Sequence, residues 1–152
     1  MTNGKSNFTW NIQLAGYDYD KYDEKGQTDY ENFISEFDKF PWIEQIERFH
    51  KINKGCSATL SVNNNESKKS FWVSIMGDVN DNTFLVGYVY PKMKKGFFGL
   101  GKEKQIKWLE IFIAEDNNQV RKCFGFFFAN KLGKLQLELK RMEKYGEMEA
   151  QN

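Results

Sequence analysis

Phe71-Trp-Val-Ser-Ile-Met76, Gly77-Asp-Val-Asn-Asp-Asn82 and Phe84-Leu-Val-Gly-Tyr-Val-Tyr90 follow one another with only Thr83 between the last two. Two runs rich in β-branched and aromatic residues, parted by a short Gly/Asp/Asn cluster, predict strands joined by a hairpin-length turn. A parallel pair would need a crossover of a dozen or more residues, and this link has no room for one. Towards the N-terminus, Ala58, Leu60 and Val62 alternate with small hydroxyl residues, and Asn63 to Lys69 reads as another turn. Towards the C-terminus, Ile106 to Ala114 is a further strand. It is apolar on both parities, so it is expected to be central or covered on both faces. The long excursion from Pro91 to Gln105 separates it from the strand before.

Further out the period changes. Phe8, Trp10, Ile12 and Leu14 alternate with polar residues as in a half-buried strand, and Gly16 to Gln27 reads as a polar connection. Thr28 and Glu31 form a capping-box signature ahead of Tyr30, Phe33, Ile34 and Phe37, which predict a helix over Asp29 to Lys39. Trp42, Ile46 and Phe49 predict a second helix, stopped by Gly55. After Asp116 and Asn117, plausible caps, helical spacing returns at Val120, Cys123, Phe124, Phe127 and Phe128, and again at Leu135, Leu139 and Met142. The tail from Glu143 is polar and is expected to fray. The whole reads as one α+β domain over residues 1–152, an antiparallel sheet of four to five strands backed by helices in the order β-α(α)-β-β-β-β-α-α.

Composition narrows the function. With 152 residues, 40% hydrophobic and 28% charged, the chain matches an ordinary globular domain and can bury a core. Its apolar runs are too short to span a membrane and no apolar leader follows the start, so a cytoplasmic protein with no membrane partner is expected. Cys56 and Cys123 are too few for a disulfide framework and lack metal-ligand spacing, and His50 stands alone. No metal and no cofactor is expected.

Net charge is only +1, but it is segregated. From Tyr17 to Phe49 ten acids face four bases, whereas from His50 onward seventeen bases face eleven acids. Such a dipolar chain suits docking to a charged partner, although a solvated helix face gives the same pattern. Two stretches stand out as partner-binding candidates. Asp18, Tyr19, Asp20, Tyr22, Asp23 and Glu24 interleave carboxylates with tyrosine, a residue enriched at interfaces. Lys94, Lys95, Phe97, Phe98 and Lys102 interleave cations with aromatics. That loop could tuck its Phe pair into the core, grip single-stranded nucleic acid by stacking, or dock a protein. The glycines at 96, 99 and 101 make it a poor packing element, so exposed partner anchors are the expectation. The near-zero net charge argues against a dedicated nucleic-acid binder.

Three chemical motifs fail on inspection. Gly96 to Lys102 approaches a phosphate loop, but Glu103 stands where a hydroxyl should hold magnesium and the segment joins two strands. A calcium loop from Asp18 would need an oxygen ligand, Gly and Glu where Tyr22, Asp23 and Asp29 stand. Nucleophilic catalysis would need Cys56 or Cys123 beside His50, which spacing neither proves nor forbids. No catalytic residue is therefore assigned. Glu110, inside an apolar strand, is expected either to pair with a Lys or Arg or to act as an acid. The alternative to a binding protein is a small ligand-binding or enzymatic domain whose aromatics line a pocket of about 300 Å³ or more.

An amphipathic helix, then Ala58-Thr-Leu-Ser-Val, then short antiparallel strands, then Phe126-Phe-Phe128 leading into Lys131-Leu-Gly133, resembles the small α+β immunity proteins of bacterial polymorphic-toxin systems. The likeness covers residues 29–135, with the Pro91–Gln105 insertion and the acidic stretch before Thr28 as departures. It implies a cytoplasmic, non-enzymatic protein that binds and neutralises a cognate protein toxin.

Overall fold

The computed structural model describes residues 7–96 and 101–150. Among these residues the class is α+β: four helices and a seven-stranded, fully antiparallel sheet. In chain order the elements are β1 (Phe8–Gln13), β2 (Asp23–Gln27), α1 (Tyr30–Lys39), α2 (Trp42–Ile52), β3 (Thr59–Asn64), β4 (Lys69–Gly77), β5 (Asn82–Lys94), β6 (Lys104–Ile113), α3 (Asn117–Phe128), α4 (Leu132–Lys140) and β7 (Glu143–Glu149). The sheet runs β2-β1-β3-β4-β5-β6-β7.

Two strands exceed the four to five expected, and both are edges. β2 lies in what reads as a polar connection, and β7 replaces the frayed tail, pairing Leu109 with Met148 and Ile113 with Glu143. Neither carries an alternating apolar face, because an edge strand is held by its neighbour's ladder and is kept charged against further pairing. The chain after β7 stays in register, the Ala150 amide donating to the Lys107 carbonyl at 2.8 Å. β5 and β6 also run on into the expected excursion, as far as the Lys94–Lys104 pair. Phe97 and Phe98 lie outside the described residues.

Two local expectations shift. The first helix is capped by Asp29, whose carboxylate accepts the Asn32 amide at 2.9 Å, whereas the Thr28 hydroxyl donates to the Asp29 carbonyl. α2 ends two residues before Gly55, at left-handed Asn53, whose amide donates to Phe49. Asp116 caps α3 as read, accepting the Gln119 amide at 2.8 Å.

All four helices contribute to one core, built around interlocked rings. Phe33 of α1 meets Phe124 of α3 at 4.6 Å, and Phe71 of β4 meets Phe124 at 4.9 Å and Phe127 at 5.9 Å. Trp42 of α2 closes the neighbouring corner against Phe84 at 5.2 Å. Buried Gln119 and Glu138 join α3 to α4, with Lys122 and Arg141 on the same carboxylate. These bonds hold Glu138 below its ordinary pKa, the Gln119 amide contributing most.

β6 is not central. It is next to the β7 edge, and the helices cover the side that carries Phe112. On the other side, the row Ser61–Trp72–Gly87–Ile111–Gly146 crosses five strands. The Trp72 indole lies flat across Gly87, where a Cβ would come within 2.1 Å of it. By register Leu85 and Ile113 stand in the row above, and Val89 and Leu109 in the row below. This half of the open face is apolar, and the half on β1 and β3 is polar.

Candidate functional site

The register fixes where the two candidate patches lie. Gln13 pairs with Thr59 and Gly77 with Asn82, so the loop from 14 to 22 sits at the same end of the strands as the 78–81 turn. Asn64 pairs with Lys69 and Lys94 with Lys104, so the 65–68 turn and the β5–β6 hairpin tip lie at the opposite end. The acidic loop also belongs to the β2 edge and the lysine hairpin to the β7 side. The fold therefore does not bring the two patches together; it separates them.

The acidic loop is a built element. Gln13 donates from Nε2 to the Tyr19 and Lys21 carbonyls at 3.0 and 3.3 Å. The Gly16 amide donates to Cys56 and the Cys56 amide to Tyr17, at 2.9 and 3.0 Å. α2 grips the same loop: Gln45 accepts the Ala15 amide at 2.9 Å, and Arg48 donates to the Ala15 carbonyl at 3.1 Å. The close approach explains Gly55, which has φ +79° and whose added Cβ would lie 2.6 Å from the Tyr17 carbonyl oxygen. The Tyr17 hydroxyl donates to Asp23 at 2.8 Å, which raises the phenol's pKa, and Lys21 sits over the Tyr17 ring at 4.2 Å. Asp23 is thus half-buried and committed within the loop. Asp18, Tyr19, Asp20, Tyr22 and Glu24 face solvent, with Tyr19 79% and Tyr22 50% exposed.

At the other end, Lys94, Lys95 and Lys102 are exposed. Lys94 approaches Glu149 at 3.9 Å, and Lys92 lies over the Trp108 ring at 4.3 Å. A cleft of about 330 Å³ opens here, and among the described residues its lining is lysine and aliphatic with Gln105 and Glu149, and holds no aromatic ring. Among the described residues, Phe33, Phe37, Phe71, Phe124 and Phe127 go instead into the core.

The remaining candidates resolve locally. Glu110 accepts the Tyr90 hydroxyl at 2.5 Å and pairs with Lys144 at 3.3 Å, the structural one of its two expected roles. Burial, with Glu110 nearby, pushes the Tyr88 phenol up to about 12 and raises Tyr90 as well. The His50 ring donates to the Gly77 carbonyl at 3.0 Å, and the Cys56 thiol donates to Leu14. Burial raises both thiols, Cys123 to about 12, which keeps them protonated and poor as nucleophiles. Among the described residues no group of three or more His, Cys, Asp or Glu could hold a metal, and no helix is long and apolar enough to cross a membrane.

Sequence reading missed the open apolar half-face and the lysine cleft. The double-parity apolar pattern of β6 was a signal for the first; the second depends on strands of unequal length, which no local pattern records. Compared with known proteins, the chain matches no family model, no curated protein and no solved structure.

Proposed function

We propose that this protein is an inhibitor-type binding protein of the immunity kind, which captures a basic cognate toxin on the loop between β1 and β2. The observation that supports it is a pinned loop displaying Tyr19 and Tyr22 among Asp18, Asp20 and Glu24. A loop already fixed in the free protein loses little entropy on binding, and exposed tyrosines on such a frame make strong anchors. The surrounding carboxylates speed association with a basic surface and make it sensitive to salt. α2, which grips the loop, adds exposed Glu44 and Glu47. A cytoplasmic location and reduced thiols go with this reading.

The test is co-expression with the product of the gene immediately upstream. The proposal expects that product to arrest growth alone and to be silenced by the wild-type chain, but not by Tyr19→Ala/Tyr22→Ala. An upstream product that is harmless, or silencing unchanged in the double variant, contradicts it.

A further inference from the structure

The basic end owes its shape to strands of unequal length. β4 makes its last pairing with β5 at Ser70–Val89, yet β5 continues to Lys94 against β6 alone. Pro91 stands just past that point, where β5 has lost its β4 neighbour and a residue without an amide N–H is tolerated. The notch between the β3–β4 turn and the long hairpin is the 330 Å³ cleft. Lys68 from the turn, Pro91 of β5 and residues 104–107 of β6 line it; Pro91 and Lys107 are register partners on the open face, and Lys104 and Ile106 have the opposite parity. Glu149 is the acid in the lining, and Lys94 approaches it at 3.9 Å. Residues 65–69 and 90–107 together hold eight lysines and two acids.

Lys68 adds an independent observation. It has φ +61°, a left-handed position that Gly or Asn fills at lower cost. A lysine there is a poor choice for the turn and a good one for placing an ammonium group at the cleft. A chain-wide charge of +1 conceals this end, because binding depends on how charge is distributed.

We infer that this cleft binds a nucleoside phosphate, its phosphate held by Lys68 and Lys107 and its base resting on Pro91. Two ammonium groups from separate segments offer donors in different directions to a phosphate, for which lysine is an established point-charge partner. A concave site with Pro91 as its apolar wall suits a ring-bearing anion of this size better than a flat acidic protein surface. The nucleotide can be free or belong to a single strand. The site lies at the opposite end of the sheet from the acidic loop, and the inference does not depend on the toxin-binding proposal.

The experiment titrates the full chain with AMP, with ATP and with a labelled thymidine oligonucleotide, using polyglutamate as the non-phosphate control, at about 50 mM and about 200 mM salt. Binding of the nucleotide probes should weaken about tenfold in Lys107→Gln and in Lys68→Gly. Lys68→Gly removes backbone strain, so its melting temperature should not fall, which separates lost binding from lost folding. Glu149→Gln should tighten binding by removing a carboxylate that repels phosphate. Saturation by AMP or ATP identifies a free nucleotide as the ligand, and binding of the oligonucleotide alone identifies a strand; either supports the cleft. Absence of all binding at the lower salt overturns it. So does polyglutamate binding as tightly as the nucleotide probes, with Lys68→Gly and Glu149→Gln both silent.

Discussion

The two ends of the sheet carry opposite charge and are held in opposite ways. At the acidic end a loop is tied by side chains and backbone to β1, to α2 and to the segment around Cys56. At the basic end two long strands support each other through their ladder and leave a notch where β4 stops. One end is a rigid convex display of tyrosine and carboxylate; the other is a concave site lined by lysine. The comparison teaches that a near-neutral chain can hold two strongly charged surfaces, provided the fold keeps them a sheet's length apart.

Glycine substitutions sharpen the comparison most strongly. Gly55→Ala puts a Cβ against the Tyr17 carbonyl at a left-handed position, and a loss of about 3 kcal/mol is expected in denaturant unfolding. Gly101→Ala, at φ +102° beside the basic hairpin, meets nothing within 4 Å and should cost only about 1 kcal/mol. Equal losses would mean that the acidic loop is no better fixed than the hairpin.

The helix layer between the ends gives the next effect. The folded pKa of Glu138 is below its ordinary 4.5, so its stabilisation is complete above that value and is lost as pH falls through the folded pKa. Glu138→Gln should lower stability at neutral pH by about 2 kcal/mol and flatten the acid limb of melting temperature against pH. Charge substitutions at either end should leave that limb unchanged.

Smaller still, Tyr17→Phe removes the hydroxyl that donates to Asp23, at a cost of about 1 kcal/mol in unfolding. It should raise amide exchange within residues 15–22 without affecting the hairpin. Tyr19→Ala, at a side chain facing solvent, should change stability by less than about 0.5 kcal/mol.

The helices and the five inner strands were legible because each buries an apolar face with its own period. Trp10 and Val62 report strands, and Phe33, Phe37, Val120 and Phe124 report helices. β2 and β7 were not legible, since Asp23–Gln27 and Glu143–Glu149 are held by their neighbours' ladders and bury almost nothing. β6 shows the subtler limit. Its apolar residues on both parities were readable, and Ile111 and Phe112 are both buried, but only the Phe112 side is covered by helices. At the candidate site, the acids and tyrosines of residues 18–24 were visible as a composition. Their anchoring by Gln13, Gln45 and Arg48 was not, because those contacts join residues distant in sequence or in different elements. Lys68 was invisible as a site residue, since only the register places its turn beside the hairpin.

The most direct test of the central claim is calorimetric titration of the upstream gene product into the wild-type chain and into Tyr19→Ala/Tyr22→Ala, both first shown to melt at the same temperature. The account predicts a tight wild-type complex that weakens with salt and a double variant at least about a hundredfold weaker, as expected when two tyrosine anchors are removed. Equal affinity of the two proteins for that partner would contradict it.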